Sequence, residues 1–519
     1  MGTKAGRPVF DADVVVVGQG PVGALAALLL GRMGVRCVAV DRRADIYPLP
    51  RAVAADEEVQ RMLWVAGLSD TVRRMLPSRG ARFLDRHGRS MLDVAMPGSD
   101  TGRPGVALFR QPELERDLRA QLADVGSVHV VLGEDGHVLD VAQDATGVEL
   151  RLHGGARLRC RYVVACDGAS SALRALLGVP FEGGSFSQRW LVVDTLAGPG
   201  SDPEAWVEWH CDRRRPAVVV PGHHGSRVEV LLGHGRPGIP PERTARLDSD
   251  AVAMASDIAA TYVGRRATVE RATTYLFADR TAESWRVGRV LFAGDAAHTM
   301  PPFAGQGMAA GVRDVTNLAW KLRLVLAGVA GPDLLDTYEG ERRPHLRQMT
   351  RLTRLAGSLI TPTSRPVAAI RDTGLRTAGR VPGLGALLRE GRIKPPQRVF
   401  GSAAAPLVGG ASGGGSFVAS PSVARAGAAS TRLDDVRGTG FTLVGVGLDP
   451  RSVLTRTGRT CWERAGTTYV EMPSANALGA RPGTVAIVRP DSVVRDVVPA
   501  GLLSQATATY FGALRAGCA

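Results

Sequence analysis

Four short runs in this chain carry the residue types from which a nucleotide site is built. The first is Gly18-x-Gly20-x-x-Gly23, with Asp41 at the end of the next apolar run. Glycines at that spacing permit a tight turn and let a pyrophosphate approach the backbone, and a carboxylate about 20 residues on can accept from ribose hydroxyls. Pro21 and Val22 lie within the turn, and Arg42 follows the acid. The second and third runs, Asp167-Gly168 after "YVVAC" and Gly294-Asp295 after "RVLFA", each put a carboxylate at the carboxyl end of a buried strand. Open α/β sheets receive their ligands there. An isolated Asp-Gly is ordinarily a plain turn. Two such pairs behind a dinucleotide motif point instead to acceptors for an extended polyhydroxyl linker. The fourth run, Pro301-Pro302 with Gly305 and Gly307, fixes a path and then leaves the first amides of a helix bare. Bare amides suit an anion or an electron-rich ring edge.

Periodicity gives the elements that must position these residues. Asp13 to Val17 reads as a strand, Pro21 to Met33 as a helix and Arg36 to Val40 as a second strand, a compact βαβ unit. "RFLDRHGRSMLDVAM" alternates like antiparallel strands around a turn at Asp85 to Gly88. "FRQPELERDLRAQLADV" is a helix with Pro112 in its first turn, and "LRCRYVVACDGASSALRALLG" is a strand, a turn and a helix. From Phe181 to about Arg280 the segments alternate and carry charge, as in an antiparallel sheet with one wet face. The predicted division has a discontinuous Rossmann-type unit (1–70, 105–180 and 281–400) and an inserted substrate-binding unit (71–104 and 181–280). A Pro/Gly/Ala/Ser-rich linker (401–416) and a small α/β domain (417–519) follow.

At 519 residues the chain holds about three domains at roughly 150 residues each. Its 64 basic and 50 acidic residues leave a net charge of +14. Nearly all the cations are arginines, with Lys4, Lys321 and Lys394 the only lysines, and they form no basic run. That distribution argues against nucleic-acid binding. Cys37, Cys160, Cys166, Cys211, Cys461 and Cys518 include no C-x-x-C pair and no metal-ligand spacing, so no metal is expected and a reduced cytoplasmic protein is the economical reading. Val14 to Leu30 is apolar, but Gly18, Gly20, Pro21 and Gly23 interrupt it, which speaks against a membrane helix.

Together, GxGxxG with Asp41, "CDGASSALR" and "FAGDAAHTMPPFAGQGM" resemble the class A, single-component FAD-dependent aromatic hydroxylases. Within that family, "YPLPRAVAADEE", "FRQPELE", "VPFEG", "WLVVD" and "RDVTNLAWKL" are most similar to 3-(3-hydroxyphenyl)propionate hydroxylases and related phenol or polyketide hydroxylases. The resemblance implies an α/β fold: a p-hydroxybenzoate hydroxylase-like FAD domain, an inserted antiparallel sheet and a C-terminal thioredoxin-like domain. It implies FAD as cofactor, NADPH or NADH as transient co-substrate, O2, and oxygen transfer to a small aromatic substrate through a flavin C4a-hydroperoxide. A homodimer is compatible with it. Gly18, Gly20 and Gly23 would cradle the pyrophosphate, and Asp41 would hold the adenosine ribose. Arg51 and Gln111 would lie along the cofactor, and Asp167 would link FAD and the pyridine nucleotide. Asp295 would accept from the ribityl chain. Pro302 would lie near the reactive edge, and the amides about Gly307 and Met308 would face flavin N1 and O2. Ala309 stands where many relatives have Asn.

No substrate-activating base follows from spacing. His223 and His224 are candidates, as is His210, each being alternatively an exposed or structural histidine, and His298 reads as structural. Trp190, Tyr275 and Phe277 are candidates for the substrate cavity or for ordinary core packing. A Baeyer-Villiger oxygenase or a polyketide hydroxylase would use the same scaffold. A flavin halogenase would need an early active-site lysine that this chain lacks, and a flavin-free binding protein would have to treat both Asp motifs as turns. Without C-x-x-C, the C-terminal domain is expected to serve packing or subunit contact rather than dithiol chemistry.

Overall fold

The computed structural model describes residues 11–49, 51–98, 102–196, 206–234, 249–389, 394–395, 422–423, 431–473 and 478–516. The predicted linker at 401–416 lies outside them.

The first sheet is built on parallel strands rich in valine and alanine, as expected where both faces are covered. Its order is Arg286–Val287, Val290–Phe292, Arg157–Ala165, Ala12–Val17, Cys37–Asp41 and Val128–Leu132. All pairs from Val290–Phe292 onward are parallel. Helices Pro21–Arg32, Gln111–Ala123 and Gly307–Leu326 pack with it around one large core. Ala12–Val17, Arg157–Ala165 and Val290–Phe292 are direct neighbours, so the turns that follow them emerge side by side. The apolar stretch at Val14 to Leu30 resolves into strand, turn and helix. Among the described residues no helix is long and apolar enough to cross a membrane.

The second sheet runs His298–Thr299, Thr268–Ala282, Phe181–Leu196, Arg227–His234, Ala217–Val220, Trp206–His210, Gly80–Leu84 and Ser90–Ala95. It is antiparallel except where Trp206–His210 pairs with Gly80–Leu84. Alternation along its strands divides two faces. Leu191, Val193, Val219, Val228 and Val230 pack against Ala255 and Ile258 of the helix Ser249–Tyr262. The opposite face looks toward the first unit.

One predicted boundary differs. Helices Arg365–Ala378 and Leu384–Arg389 were assigned by sequence to the Rossmann-type unit, but they pack on the strand Ser90–Ala95. Leu375 and Leu388 share a core with Phe83, Leu92 and Trp209. The cause is the 24-residue helix Thr337–Ile360, which starts in the first core and ends in the second through Ala356 and Ile360. A helix of about 1.5 Å per residue spans that distance, and local pattern does not tell which core receives its far end.

The C-terminal domain has the strand order Thr468–Met472, Thr442–Val446, Thr484–Val488 and Val494–Pro499, one parallel pair followed by antiparallel ones. Helices Arg456–Arg464 and Leu503–Ala516 pack on it, stacking Trp462 against Tyr510. The domain docks on the first unit through buried polar groups. Arg61 donates to Asp434 (2.7 Å), Asn317 to Asp491 (2.9 Å) and Arg489 to Glu341 (2.6 Å), and Trp320 meets Phe441 edge-on.

Candidate active site

Two of the three motif glycines are dictated by packing and one by open space. At Gly18 φ is +98°, and a Cβ would lie 2.3 Å from the Cys166 carbonyl oxygen. A Cβ on Gly23 would lie 1.8 Å from the Gly18 oxygen. Gly20 is different, because its Cβ would meet no protein atom within 4 Å. Gly20 is also the N-cap of the helix Pro21–Arg32, which has no side-chain cap, so its first amides stay available. Asp41 secures the turn from the next strand. It accepts from the Gln19 amide (Oδ2, 2.6 Å) and the Arg43 amide (Oδ1, 2.8 Å).

The second turn holds Asp167. Its Oδ2 accepts from the Leu173 amide at 3.2 Å, while Oδ1 is buried with no partner among the described residues. Burial pushes its carboxyl up, against opposing hydrogen bonds from Ser171 and backbone amides. At the third turn, Asp295 accepts no hydrogen bond from the described residues. It is open to the cavity yet set deep in its wall, and burial raises its carboxyl, offset partly by His298 and Arg51. Behind it lies a buried network. Asp314 faces His298 Nε2 at 2.6 Å and accepts from the Gly294 amide (3.2 Å) and from Arg342 Nε (3.0 Å).

Past Pro302–Ala304 the chain turns through Gly305 at φ +63° into the helix Gly307–Leu326, again without a side-chain cap. No protein atom comes within 4 Å of a Cβ built on Gly307. Gln111 braces the facing loop, its Oε1 accepting from the amides of Arg51 (3.2 Å) and Ala52 (2.7 Å) while its Nε2 donates to Glu115 (2.7 Å).

These segments share one cavity of ≈ 1130 Å³ between the first unit and the second sheet. Gly18, Gly20, Pro21, Val22, Asp41, Arg42, Arg51, Gln111, Asp167, Gly168, Asp295, Pro302, Gly305, Gly307 and Met308 all line it. Gly23 and Gly294 do not, and they serve from behind the wall. On the opposite side Tyr275 and Phe277 line it, with Val192, Trp209, Val218, Glu229 and Thr273, while Phe303 reaches it from the Pro302–Ala304 turn.

Four sequence candidates fall elsewhere. Trp190 is fully buried behind the wall, with Phe277 and Phe303 at centroid distances of 5.7 and 5.5 Å. His223 and His224 are exposed and line a separate small pocket, where His224 Nε2 lies 3.7 Å from Glu113. His210 contacts Glu208 and Tyr262 and does not line the cavity. The histidines were drawn by residue type. The titratable group that sequence reasoning missed is Glu229. Its signal was present in "SRVEVLLGHG", where alternation sends Arg227 and Glu229 to one face and Val228 and Val230 to the other.

Residues 11–353 match the family model described as FAD binding domain, and residues 415–480 the HcaD C-terminal domain. The chain belongs to the FAD-dependent aromatic hydroxylases. A 3-(3-hydroxy-phenyl)propionate/3-hydroxycinnamic acid hydroxylase of Mycolicibacterium smegmatis is 36% identical over 480 residues, covering 91% of this chain and 82% of the relative. One from Burkholderia vietnamiensis is 36% identical over 498 residues, covering 93% and 88%. Among solved structures, the flavin-dependent monooxygenase PieE with FAD and substrate superposes with a TM-score of 0.77 at 21% identity, covering 97% of this chain and 100% of that one. OxyS anhydrotetracycline hydroxylase from Streptomyces rimosus gives 0.74 at 25% identity, covering 96% and 99%.

FAD is the cofactor of this hydroxylase, and the residues fit it. An orphaned buried oxygen on Asp167, an unpartnered carboxylate on Asp295 and open space above Gly20 and Gly307 are what a long, hydroxyl-bearing anionic ligand would complete. Ala309 is buried in the helix and does not line the cavity, so the backbone amides of Gly307 and Met308 face it without a side-chain partner at that position.

Proposed function

We propose that this chain is an NAD(P)H- and O2-dependent monooxygenase that hydroxylates a phenolic ring. One observation carries the reading: Asp167, Asp295 and the open Gly20 turn converge on a cavity whose far wall is a largely apolar sheet face. FAD, held in this cavity, would supply the redox chemistry that links the nicotinamide to O2.

The chain's own residues do the rest. Gly20 and the bare amides of Pro21–Arg32 hold the pyrophosphate, and Asp41 accepts from the adenosine ribose. Asp295 and Asp167 accept from hydroxyls of the linker. Amides at Gly307 and Met308 donate to the electron-rich edge of the ring system, where the helix terminus favours negative charge by about 1 kcal/mol. Pro302 holds the path beside that edge. Val192, Val218, Trp209 and Phe277 exclude water, and Tyr275 and Phe277 orient the substrate ring. In this reading the nicotinamide visits the same cavity, and the enzyme draws on a cytoplasmic NAD(P)H pool. The cavity's size and apolar wall extend the reading to polycyclic phenols.

The test is NAD(P)H oxidation by the FAD-loaded enzyme against mono- and polycyclic phenols, with hydroxylated product scored separately from hydrogen peroxide. Product from at least one phenol is expected. Peroxide alone across the panel would overturn the assignment.

A further inference from the structure

Resting on that reading, we infer that Glu229 accepts the hydroxyl of a neutral phenolic substrate, and that the cavity selects neutral phenols over aryl carboxylates. The position follows from sheet register. Trp209 pairs with Val218, Val218 with Glu229, Glu229 with Val192 and Val192 with Thr273, and all five side chains line the cavity. Glu229 is therefore a single carboxyl in a row that otherwise offers an indole, two valines and a threonine.

Its surroundings give it no hydrogen-bond donor. Glu229 is half-buried and accepts no hydrogen bond from the described residues. Arg227, two residues earlier on the same face, bonds Asp194 (Nε to Oδ1, 2.8 Å) and the Arg51 carbonyl (2.7 Å), and Asp194 must also serve Arg271, so the trio carries one net positive charge that an ionised Glu229 balances. Arg271 is shared between Asp194 (3.6 Å) and the Tyr275 hydroxyl (2.7 Å). Lys394 also lines the cavity but is paired with Asp56 (2.9 Å) and Glu58 (3.2 Å). Arg51 faces Tyr47 and Asp295 at the nucleotide end. Among the described residues, the substrate side thus presents a carboxyl with no hydrogen-bond donor, and once Glu229 is ionised it leaves no positive charge over for a substrate carboxylate.

A substrate carboxylate placed there would meet low-dielectric walls, no partner cation and a second carboxyl, and one of the two acids would have to take up a proton. A phenolic hydroxyl meets an acceptor instead. Hydrogen bonding to Glu229 draws the proton away from the ring oxygen and enriches the ring carbons in electrons. Burial, modified by Arg227 and Asp194, raises the Glu229 carboxyl, which brings its basicity nearer to that of a phenolate.

The experiment titrates the FAD-loaded enzyme with matched pairs and follows the flavin absorbance change. The pairs are 3-(3-hydroxyphenyl)propionate with its amide, and 6-hydroxy-2-naphthoate with its carboxamide. The amides are expected to bind about tenfold or more tightly than the acids, a typical discrimination for like charges in a desolvated site. Glu229→Gln should narrow the gap to about threefold by improving the acids, and should lower kcat for the amides with FAD content unchanged. Acids binding as tightly as amides, no neutral member binding at all, or a gap unmoved in Glu229→Gln would overturn the inference. If Glu229→Gln loses FAD, the wild-type pairs alone decide. Efficient hydroxylation of an acid in preference to its amide would sink this inference and leave the monooxygenase reading intact, whereas peroxide without product would sink that reading.

Discussion

Asp314 Oδ2 and His298 Nε2 lie 2.6 Å apart, both side chains buried, directly behind the turn that presents Asp295 to the cavity. The same carboxylate takes the Gly294 amide and Arg342, so one residue of the helix Gly307–Leu326 fixes the position of the third cofactor turn. Truncating one member of a buried ionic group leaves the others unpaired and costs about 3–5 kcal/mol. Asp314→Ala should therefore lower both the melting temperature and FAD retention. An unchanged melting curve would show that the network contributes nothing.

Asp295 itself should behave in the opposite way. It accepts no hydrogen bond from the described residues, so Asp295→Ala is expected to leave the melting temperature of apoprotein unchanged or slightly raised. Losing a hydrogen bond to a charged acceptor, about 1.5–3 kcal/mol, should weaken FAD binding by roughly 10- to 150-fold. Fluorescence titration of apoprotein with FAD measures this, and an affinity within twofold of wild type would remove Asp295 from the site.

The motif glycines separate folding from cofactor binding. Gly23→Ala drives a methyl into the Gly18 carbonyl and should abolish soluble expression, whereas Gly20→Ala meets no protein atom and should fold with a normal circular dichroism spectrum. Because the added methyl occupies ligand space, the Gly20 variant should purify with little FAD. Full occupancy would move the pyrophosphate elsewhere.

Asp434 is held by Arg61, Arg103 and Arg437, all buried, which ties the C-terminal domain to the helix Glu57–Val65. Asp434→Ala leaves three guanidiniums without their shared anion and should destabilise the protein by about 3–5 kcal/mol, detectable as a lower urea midpoint. The rate of flavin reduction in the folded fraction should stay within about twofold of wild type, since none of these residues lines the cavity. A selective loss of reduction would give the domain a part in catalysis.

His345 is a buried histidine that burial, reinforced by Arg342 and Arg313, pushes down to about 2. A depressed folded value means that the unfolded chain binds the proton more readily. The stability associated with neutral His345 is complete above the unfolded value of about 6.5 and is lost as pH falls below it, by about 1.4 kcal/mol per pH unit. Wild type should therefore lose stability relative to His345→Gln between pH 6.5 and 4.5. Taking the difference cancels the other titrating groups, and a difference flat with pH would contradict the neutral assignment.

Corrections to the sequence reading share a cause. Trp190, Tyr275 and Phe277 lie on one face of the second sheet, yet only Tyr275 and Phe277 line the cavity, because Phe303 arrives from the cofactor loop and seals Trp190 in. His223 and His224 were chosen by chemistry, but their loop lines a separate small pocket, with His224 toward Glu113. Glu229 was passed over because a lone glutamate in an alternating strand has no local mark of function. Its significance comes from four neighbouring strands and from where Arg227 spends its charge.

Local sequence determined the strand-turn-helix units, the glycines and the carboxylates that end the parallel strands, because those depend on backbone sterics and on side-chain periods within a few residues. Tertiary structure alone decided which titratable group faces the substrate, which aromatic rings are wall and which are core, and that Arg61 finds Asp434 across 373 positions. Such relations are set by the closing of separate sheets and helices on one another. A desolvated charge is satisfied by whatever partner that closure brings within about 3 Å, however far away it lies in the chain.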